Sequence, residues 1–210
     1  MAGLIHGLDG ERVRSNLERV RDVAGPAVEI LAATKYVPTE EMGVLADAGV
    51  DLVGENRLQD LEAKRERWGD AFAWDFIGNL QSRKVKRILP LTRLIHSVAT
   101  DSVLEQLGRH AADTTEVLVE VNVAGEGAKG GVSPAELGAF IARCPVRVAG
   151  LMTMPPESAN PEGSRPHFAR LAELAAEHGL GRLSMGTSQD WEVAIQEGAT
   201  IIRLGTALYI

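Results

Sequence analysis

Cysteine is almost missing from this chain. Cys144 is the one thiol in 210 residues, so no internal disulfide can form, and the usage points to a reducing compartment. Positive charge is in deficit too: the formal net charge is −7, and the one basic cluster, Lys84, Lys86 and Arg87, is outweighed by acidic segments on both sides. A nucleic-acid surface is therefore not expected. No apolar run approaches the ~20 residues of a membrane span, and Met1 to Asp9 has no basic stretch followed by a long apolar one, so neither a membrane segment nor a secretory leader is expected. Linkers, charge blocks and low-complexity stretches are absent as well. What remains is an ordinary composition, 45% apolar and 24% charged, expected of one soluble, cytoplasmic, mildly acidic domain over 1–210.

One pattern recurs along that domain: a short apolar run, a polar or glycine-bearing turn, then an amphipathic stretch. The runs are Glu29–Ala33, Asp51–Gly54, Ala73–Gly78, Leu94–Val98, Glu116–Asn122, Val146–Met152, Arg182–Met185 and Thr200–Gly205. Most are continuous segments of Val, Ile and Leu, as strands buried on both faces require. Helical patterns lie between them, among them Thr39–Ala48 after Pro38, Asp101–Ala111, and Pro134–Ala142 with Ser133 as N-cap. Eight strands alternating with helices predict a closed parallel (β/α)8 TIM barrel, with an open doubly wound sheet as the alternative. Strand eight ends the chain with no helix expected after it, and the stripe Val13, Leu17, Val20 and Val23 on a helix at Leu8–Ala24 is expected to complete the outer ring. Pro155–Pro166 reads as a loop.

In such a barrel, function gathers at the C-terminal ends of the strands, and phosphate is often held after strands seven and eight. Gly186-Thr187-Ser188 opens a helix expected over Gln189–Glu197, with hydroxyls and uncommitted backbone N–H groups, and Gly205-Thr206 offers a second approach with no side chain at the glycine. Plain helix capping by Thr187 and Ser188 is the bland alternative. Lys35 closes strand one, where partial desolvation would lower its pKa and expose a nucleophile able to form a Schiff base; its bland alternative is a snorkelling lysine. A lysine and a phosphate cradle on one rim suggest a phosphorylated aldehyde, and pyridoxal 5′-phosphate needs both. Arg203 on the same rim could address the pyridine nitrogen, or else pair with a rim carboxylate. His96 is read as a satisfied core histidine, His110, His167 and His178 as bland, and Glu62–Arg67 as a solvated helix face. No metal site is expected.

Ala33-Thr34-Lys35, Gly54-Glu55-Asn56, Phe76-Ile77-Gly78-Asn79-Leu80-Gln81, Gly150-Leu151-Met152, Ser184-Met185-Gly186-Thr187-Ser188 and Arg203-Leu204-Gly205-Thr206-Ala207 occur in one order over Leu8 to Tyr209. This ordered set resembles the pyridoxal phosphate homeostasis proteins (the YggS/PROSC type). The resemblance implies a monomeric fold-type III barrel like the N-terminal domain of alanine racemase, holding pyridoxal 5′-phosphate as a Schiff base on Lys35. It implies that Ser184, Gly186, Thr187, Ser188, Gly205 and Thr206 surround the phosphate, that Arg203 faces the pyridine nitrogen and that Asn56 lies near the cofactor. Lys129 matches a loop lysine linked to cofactor transfer or secondary binding. Two departures stand out: Asp75 where the family more often has histidine, and an end right after strand eight where the family continues with a glycine and an arginine-bearing tail. The function implied is intracellular cofactor homeostasis and delivery to apo-enzymes. The alternative is an alanine-racemase-like enzyme acting on amino acids, which needs an acid and a base on opposite faces of the adduct. Tyr36 and Tyr209 are the only tyrosines, and Tyr36 adjoins Lys35, so efficient racemisation is not expected. A lysine-dependent aldolase would explain Lys35 and the loops but leave the ordered motifs as coincidence.

Overall fold

A computed structural model of the protein describes residues 4–127 and 130–210. Eight strands pair side by side, all parallel, into a closed barrel: β1 (Glu29–Ala33), β2 (Leu52–Glu55), β3 (Ala73–Phe76), β4 (Leu94–Val98), β5 (Glu116–Glu120), β6 (Arg147–Met152), β7 (Arg182–Ser184) and β8 (Ile201–Leu204). Closure is made by β8 on β1, with Leu31 beside Arg203 and Ala32 beside Leu204. The open-sheet alternative is thereby removed.

Alternation along each strand sorts the side chains. Leu31, Leu52, Leu94, Leu118, Ala149, Met152 and Ile201 form a small apolar cluster inside the barrel. Their neighbours in sequence, Ala32, Val53, Ile95, Val117, Val119, Leu151 and Ile202, join the larger core between barrel and helices. Polar residues complete the filling of the barrel: Asp75, His96, Ser184 and Arg203 are all buried.

The outer ring holds α1 (Gly10–Ala24), α2 (Met42–Asp47), α3 (Leu58–Trp68), α4 (Val85–Ile88), α5 (Asp101–His110), α6 (Leu137–Arg143), α7 (Arg165–Glu177), α8 (Trp191–Gln196) and α9 (Thr206–Tyr209). Asp9 caps α1 by accepting from the N–H groups of Glu11 and Arg12, and Gly25, at φ +71°, ends it. The buried stripe of α1 is Val13, Leu17, Val20 and Ala24; Val23, expected on that face, is exposed because the stripe advances by four, three and four. Strand eight is followed by a helix after all, the single turn α9. The α1 helix packs on α9, α2 and α8, and Asn16 Nδ2 donates to the Leu208 carbonyl, so α1 fills the ring as expected while a short turn lies beneath it.

Three helix starts fall later than the sequence suggests. Thr39–Glu41 is a 3-10 turn before α2, with no side-chain cap at Pro38. Ser133 donates to the Glu136 carboxylate instead of capping, and α6 begins at Leu137. Asp190 turns back on Thr187, and α8 begins at Trp191. The last two are local side-chain bonds competing with helix formation. The segment expected as loop over Pro155–Pro166 ends in a 3-10 turn, Pro161–Ser164, and in the first turn of α7.

Candidate functional site

The C-terminal rim carries the sequence-derived candidates. Lys35 sits in the turn after β1. Thr34, just before it, is buried; its Oγ1 donates to Glu55 Oε1 (2.5 Å) and its carbonyl accepts from Lys64 Nζ (2.7 Å). Lys64 Nζ also lies 2.5 Å from Glu55 Oε1, both side chains being almost wholly buried. Burial pushes the Glu55 carboxyl above its usual range, partly offset by the Lys64 ammonium. Tyr209 Oη donates to the Ala33 carbonyl (3.1 Å) from the other side. The turn holding Lys35 is thus pinned at Ala33 and Thr34 by buried groups. Lys35 itself is exposed, its Nζ 4.8 Å from the centre of the Tyr36 ring. The burial expected at the strand end is not found, because Lys35 lies in the turn beyond it.

Lys64 corrects the reading of Glu62–Arg67 as a solvated face. On α3 the buried positions are Leu58, Leu61 and Lys64, steps of three along one stripe. The signal was present in that spacing: Lys64 occupies an apolar-stripe position, and Glu55 nine residues earlier supplies its partner.

Asn56 follows β2. Its Oδ1 is buried with no hydrogen-bond partner among the described residues. Its main chain lies hard against Gly78, where a Cβ would come within 2.0 Å of the Asn56 carbonyl oxygen. Glycine at 78 therefore lets the ends of β2 and β3 close up and aims Asn56 as it stands.

Arg203, on β8, is buried and donates from Nη1 to the Ser184 carbonyl (2.7 Å) and Oγ (2.5 Å), and from Nη2 to the Thr153 carbonyl (2.9 Å) and Met154 Sδ (2.9 Å). Four of its five N–H groups are so occupied, leaving Nε–H unpaired among the described residues. Among the described residues no carboxylate pairs with it directly, so the bland alternative of a rim salt bridge is not what holds it. Burial lowers its pKa to about 10, against the opposing charges of Asp190 and Glu120. Glu120, at the end of β5 and two residues beyond the inward-facing Leu118, makes no side-chain hydrogen bond among the described residues, and burial raises its carboxyl.

Ser184 Oγ also meets His96 Nδ1 (2.8 Å), and His96 Nε2 meets Asp75 Oδ2 (3.1 Å). His96 is a core histidine with both nitrogens bonded, as expected. Ser184, which the resemblance places around the phosphate, has its hydroxyl bonded to His96 and Arg203 in this inner network. By alternation Ser184 points into the lumen from β7, two residues before Gly186 turns the chain outward.

Those loops are partly committed. Thr187 N–H and Oγ1 both donate to Asp190 Oδ1 (2.7 and 3.0 Å), and Ser164 Oγ donates to Asp190 Oδ2. Ser188 Oγ accepts from the N–H groups of Gly205 and Ala207 (3.0 and 3.1 Å), tying the loop after β7 to the loop after β8. Neither Thr187 nor Ser188 caps α8, whose start has no side-chain cap, and the N–H groups of Ser188, Gln189 and Thr206 have no partner among the described residues. A Cβ on Gly205 would meet nothing closer than 4.0 Å, whereas Gly186 is at φ +89° with Ala194 Cβ only 2.5 Å from where its own would be. Gly186 shapes the loop; Gly205 leaves a recess. Because β8 adjoins β1, and β1 adjoins β2, the recess, Lys35 and Asn56 share one arc of the rim. Lys129 lies outside the described residues. Among the described residues no group of His, Cys, Asp and Glu could hold a metal ion, and no helix is long and apolar enough to cross a membrane.

Residues 8–210 match the family model described as alanine racemase, N-terminal domain. A pyridoxal phosphate homeostasis protein of Aquifex aeolicus (strain VF5) is 41% identical over 95% of this chain and 96% of its own length. One of Pseudomonas aeruginosa is 35% identical over 95% of this chain and 94% of its own. Among solved structures, PipY of Synechococcus elongatus PCC7942 matches with a TM-score of 0.87 without pyridoxal phosphate and 0.82 with it bound, at 31% and 30% identity, over 94% of this chain and 100% of PipY. Alanine racemase from Corynebacterium glutamicum shares the fold at a TM-score of 0.75 and 17% identity, this chain covering 61% of it.

Proposed function

Since this chain belongs to the alanine racemase N-terminal domain family, and its relatives include pyridoxal phosphate homeostasis proteins, we propose that it binds pyridoxal 5′-phosphate at the barrel mouth and acts as a carrier in cofactor homeostasis. The observation that carries this reading is the set of unpaired groups on one arc of the rim. An exposed primary amine, Lys35, shares this arc with a recess at Gly205, the N–H groups of Ser188, Gln189 and Thr206, the buried Asn56 Oδ1 and Arg203 Nε–H, and none of these last five groups has a hydrogen-bond partner among the described residues. These fit the group part by part. Lys35 would hold the aldehyde as a Schiff base, the loop amides with Gly186, Thr187, Ser188, Gly205 and Thr206 would hold the phosphate, and Arg203 would address the ring nitrogen. An arginine there leaves that nitrogen unprotonated and the ring a weaker electron sink than a carboxylate would, which suits storage better than turnover.

The carrier works as a single barrel domain and a monomer in the cytoplasm, passing the cofactor to apo-enzymes that depend on it. Neither tyrosine is available as a second acid: Tyr36 lies beside Lys35, and Tyr209 is buried with its hydroxyl donated to Ala33. A slow proton exchange on amino acids is the second reading, favoured by the uncommitted carboxylate of Glu120. Absorption spectra before and after borohydride reduction test the reading. The protein is expected to show a yellow band with pyridoxal 5′-phosphate that reduction fixes covalently, and Lys35→Ala is expected to lack it. No band in the wild-type protein at saturating cofactor would refute cofactor binding at Lys35. Turnover of amino acids that Glu120→Gln abolishes would shift the assignment from carrier to enzyme.

A further inference from the structure

A polar chain runs through the barrel from its lower end to Arg203. Arg93, just before β4, holds both oxygens of Asp75 (Nε–Oδ1 3.0 Å, Nη2–Oδ2 2.8 Å) and also pairs with Glu29 (2.6 Å), which pairs in turn with Arg182. Above them Asp75, His96, Ser184 and Arg203 follow one another at 3.1, 2.8 and 2.5 Å, each from a different strand and each buried.

One arrangement of the hydrogens uses every donor and acceptor in this chain. Arg203 has no acceptor, so it must donate to Ser184 Oγ. The Ser184 hydroxyl proton is then free for His96, whose Nδ1 must be the bare, accepting nitrogen. Nε2 therefore carries the proton and donates to the Asp75 carboxylate. A proton on Nδ1 as well would leave Ser184 Oγ accepting twice with nowhere to donate, and would place a cation between Arg93 and Arg203. The electrostatics agree: burial lowers the His96 pKa with Arg203 and Arg93 adding to it, and although burial opposes it, hydrogen bonds from His96 and Arg93 hold Asp75 below its usual range.

We propose that Asp75, His96 and Ser184 are positioning residues for Arg203: the Asp75 carboxylate fixes the Nε2–H form of His96, so that Ser184 presents its oxygen to Arg203. The chain fixes the guanidinium, which feels the charge of Asp190 and Glu120, and leaves Nε–H as its one donor without a partner among the described residues. Asp75 reaches the rim chemistry through two intervening side chains, from a position that touches no part of the recess. That this arginine meets the cofactor ring rests on the function proposed above; the hydrogen arrangement does not.

Two measurements separate the two claims. Histidine nitrogen NMR on the cofactor-free, full-length protein is expected to show one of its five histidines neutral and protonated on Nε2 from about pH 6 to 8, a signal lost in His96→Gln. An Nδ1–H form or an imidazolium at that site overturns the proposal, whether or not any cofactor binds. With pyridoxal 5′-phosphate added, Ser184→Ala and His96→Leu are expected to move the absorption maximum and weaken binding about tenfold. His96→Gln, which can still accept from Ser184 and donate to Asp75, is expected to restore both. Folded variants with wild-type spectra and affinity would overturn the positioning role. A wild-type protein with the expected His96 form but no chromophore would refute the function and leave the chain of hydrogen bonds standing.

Discussion

At the scale of single residues, the two glycines of the phosphate loops separate shape from occupancy. Gly186 has φ +89° and no room for a Cβ, since Ala194 Cβ stands 2.5 Å from its ideal position. Gly186→Ala is expected to destabilise the fold by about 1–3 kcal/mol through backbone strain and overpacking, read as a lower urea midpoint. Gly205 has its nearest neighbours at 4.0 Å. Gly205→Ala is therefore expected to cost less stability than Gly186→Ala while adding a methyl group to the recess, so a titration with pyridoxal 5′-phosphate should weaken more than the urea midpoint falls. The reverse ranking would mean that Gly205 serves the turn and not a ligand. Lys35 was legible from its place at a strand end; its exposure was not, because exposure depends on how far the following turn lifts it, and that turn is set by Thr34 through Glu55 and Lys64.

At the scale of elements, strands were easier to read than helices. The runs Glu29–Ala33 and Leu94–Val98 coincide with β1 and β4, and the others differ by a few residues at their ends, because a strand buried on both faces writes its whole length as apolar sequence. Helix starts depend on which side chain wins a local hydrogen bond, and Ser133 with Glu136 and Thr187 with Asp190 both won against the helix. Cross-element pairs stayed invisible for another reason: Lys64 and Glu55 meet only once α3 lies on β2. That pair gives a prediction at its own scale. Lys64→Met is expected to cost about 3–5 kcal/mol, mostly the penalty of leaving Glu55 buried and unpaired, whereas Lys64→Met with Glu55→Leu together should cost less than the sum of the two single changes. Urea unfolding of the four proteins supplies the cycle, and simple additivity would show that the two groups do not interact. The α1 helix is held more lightly. Asp9→Ala removes the cap on Glu11 and Arg12 and should cost about 1 kcal/mol.

At the scale of the whole molecule, closing the barrel brings charge into the lumen, and that makes stability depend on pH in a calculable direction. His96 has a folded-state pKa below its ordinary 6.5, so the unfolded chain takes up that proton first. Its contribution is complete above pH 6.5 and is lost as the pH falls from there toward the folded-state value. Asp75, lowered from 3.8, acts in the same sense at still lower pH. Glu55 and Glu120 are raised from 4.5 and oppose it, favouring the folded state as the pH falls through their window. The overall profile mixes these signs, so the informative quantity is a difference. Unfolding free energy measured in urea at about pH 6.5 and 5, for the wild-type protein and for His96→Gln, should show the wild type losing up to about 2 kcal/mol more over that interval. Glu55 and Glu120 are common to both proteins and cancel, and Asp75 keeps the Arg93 bonds that hold it below this interval, leaving the histidine. A gap that does not change with pH would mean that His96 takes up its proton in the fold as readily as in the unfolded chain, and the one-way arrangement from Asp75 to Arg203 would fall with it.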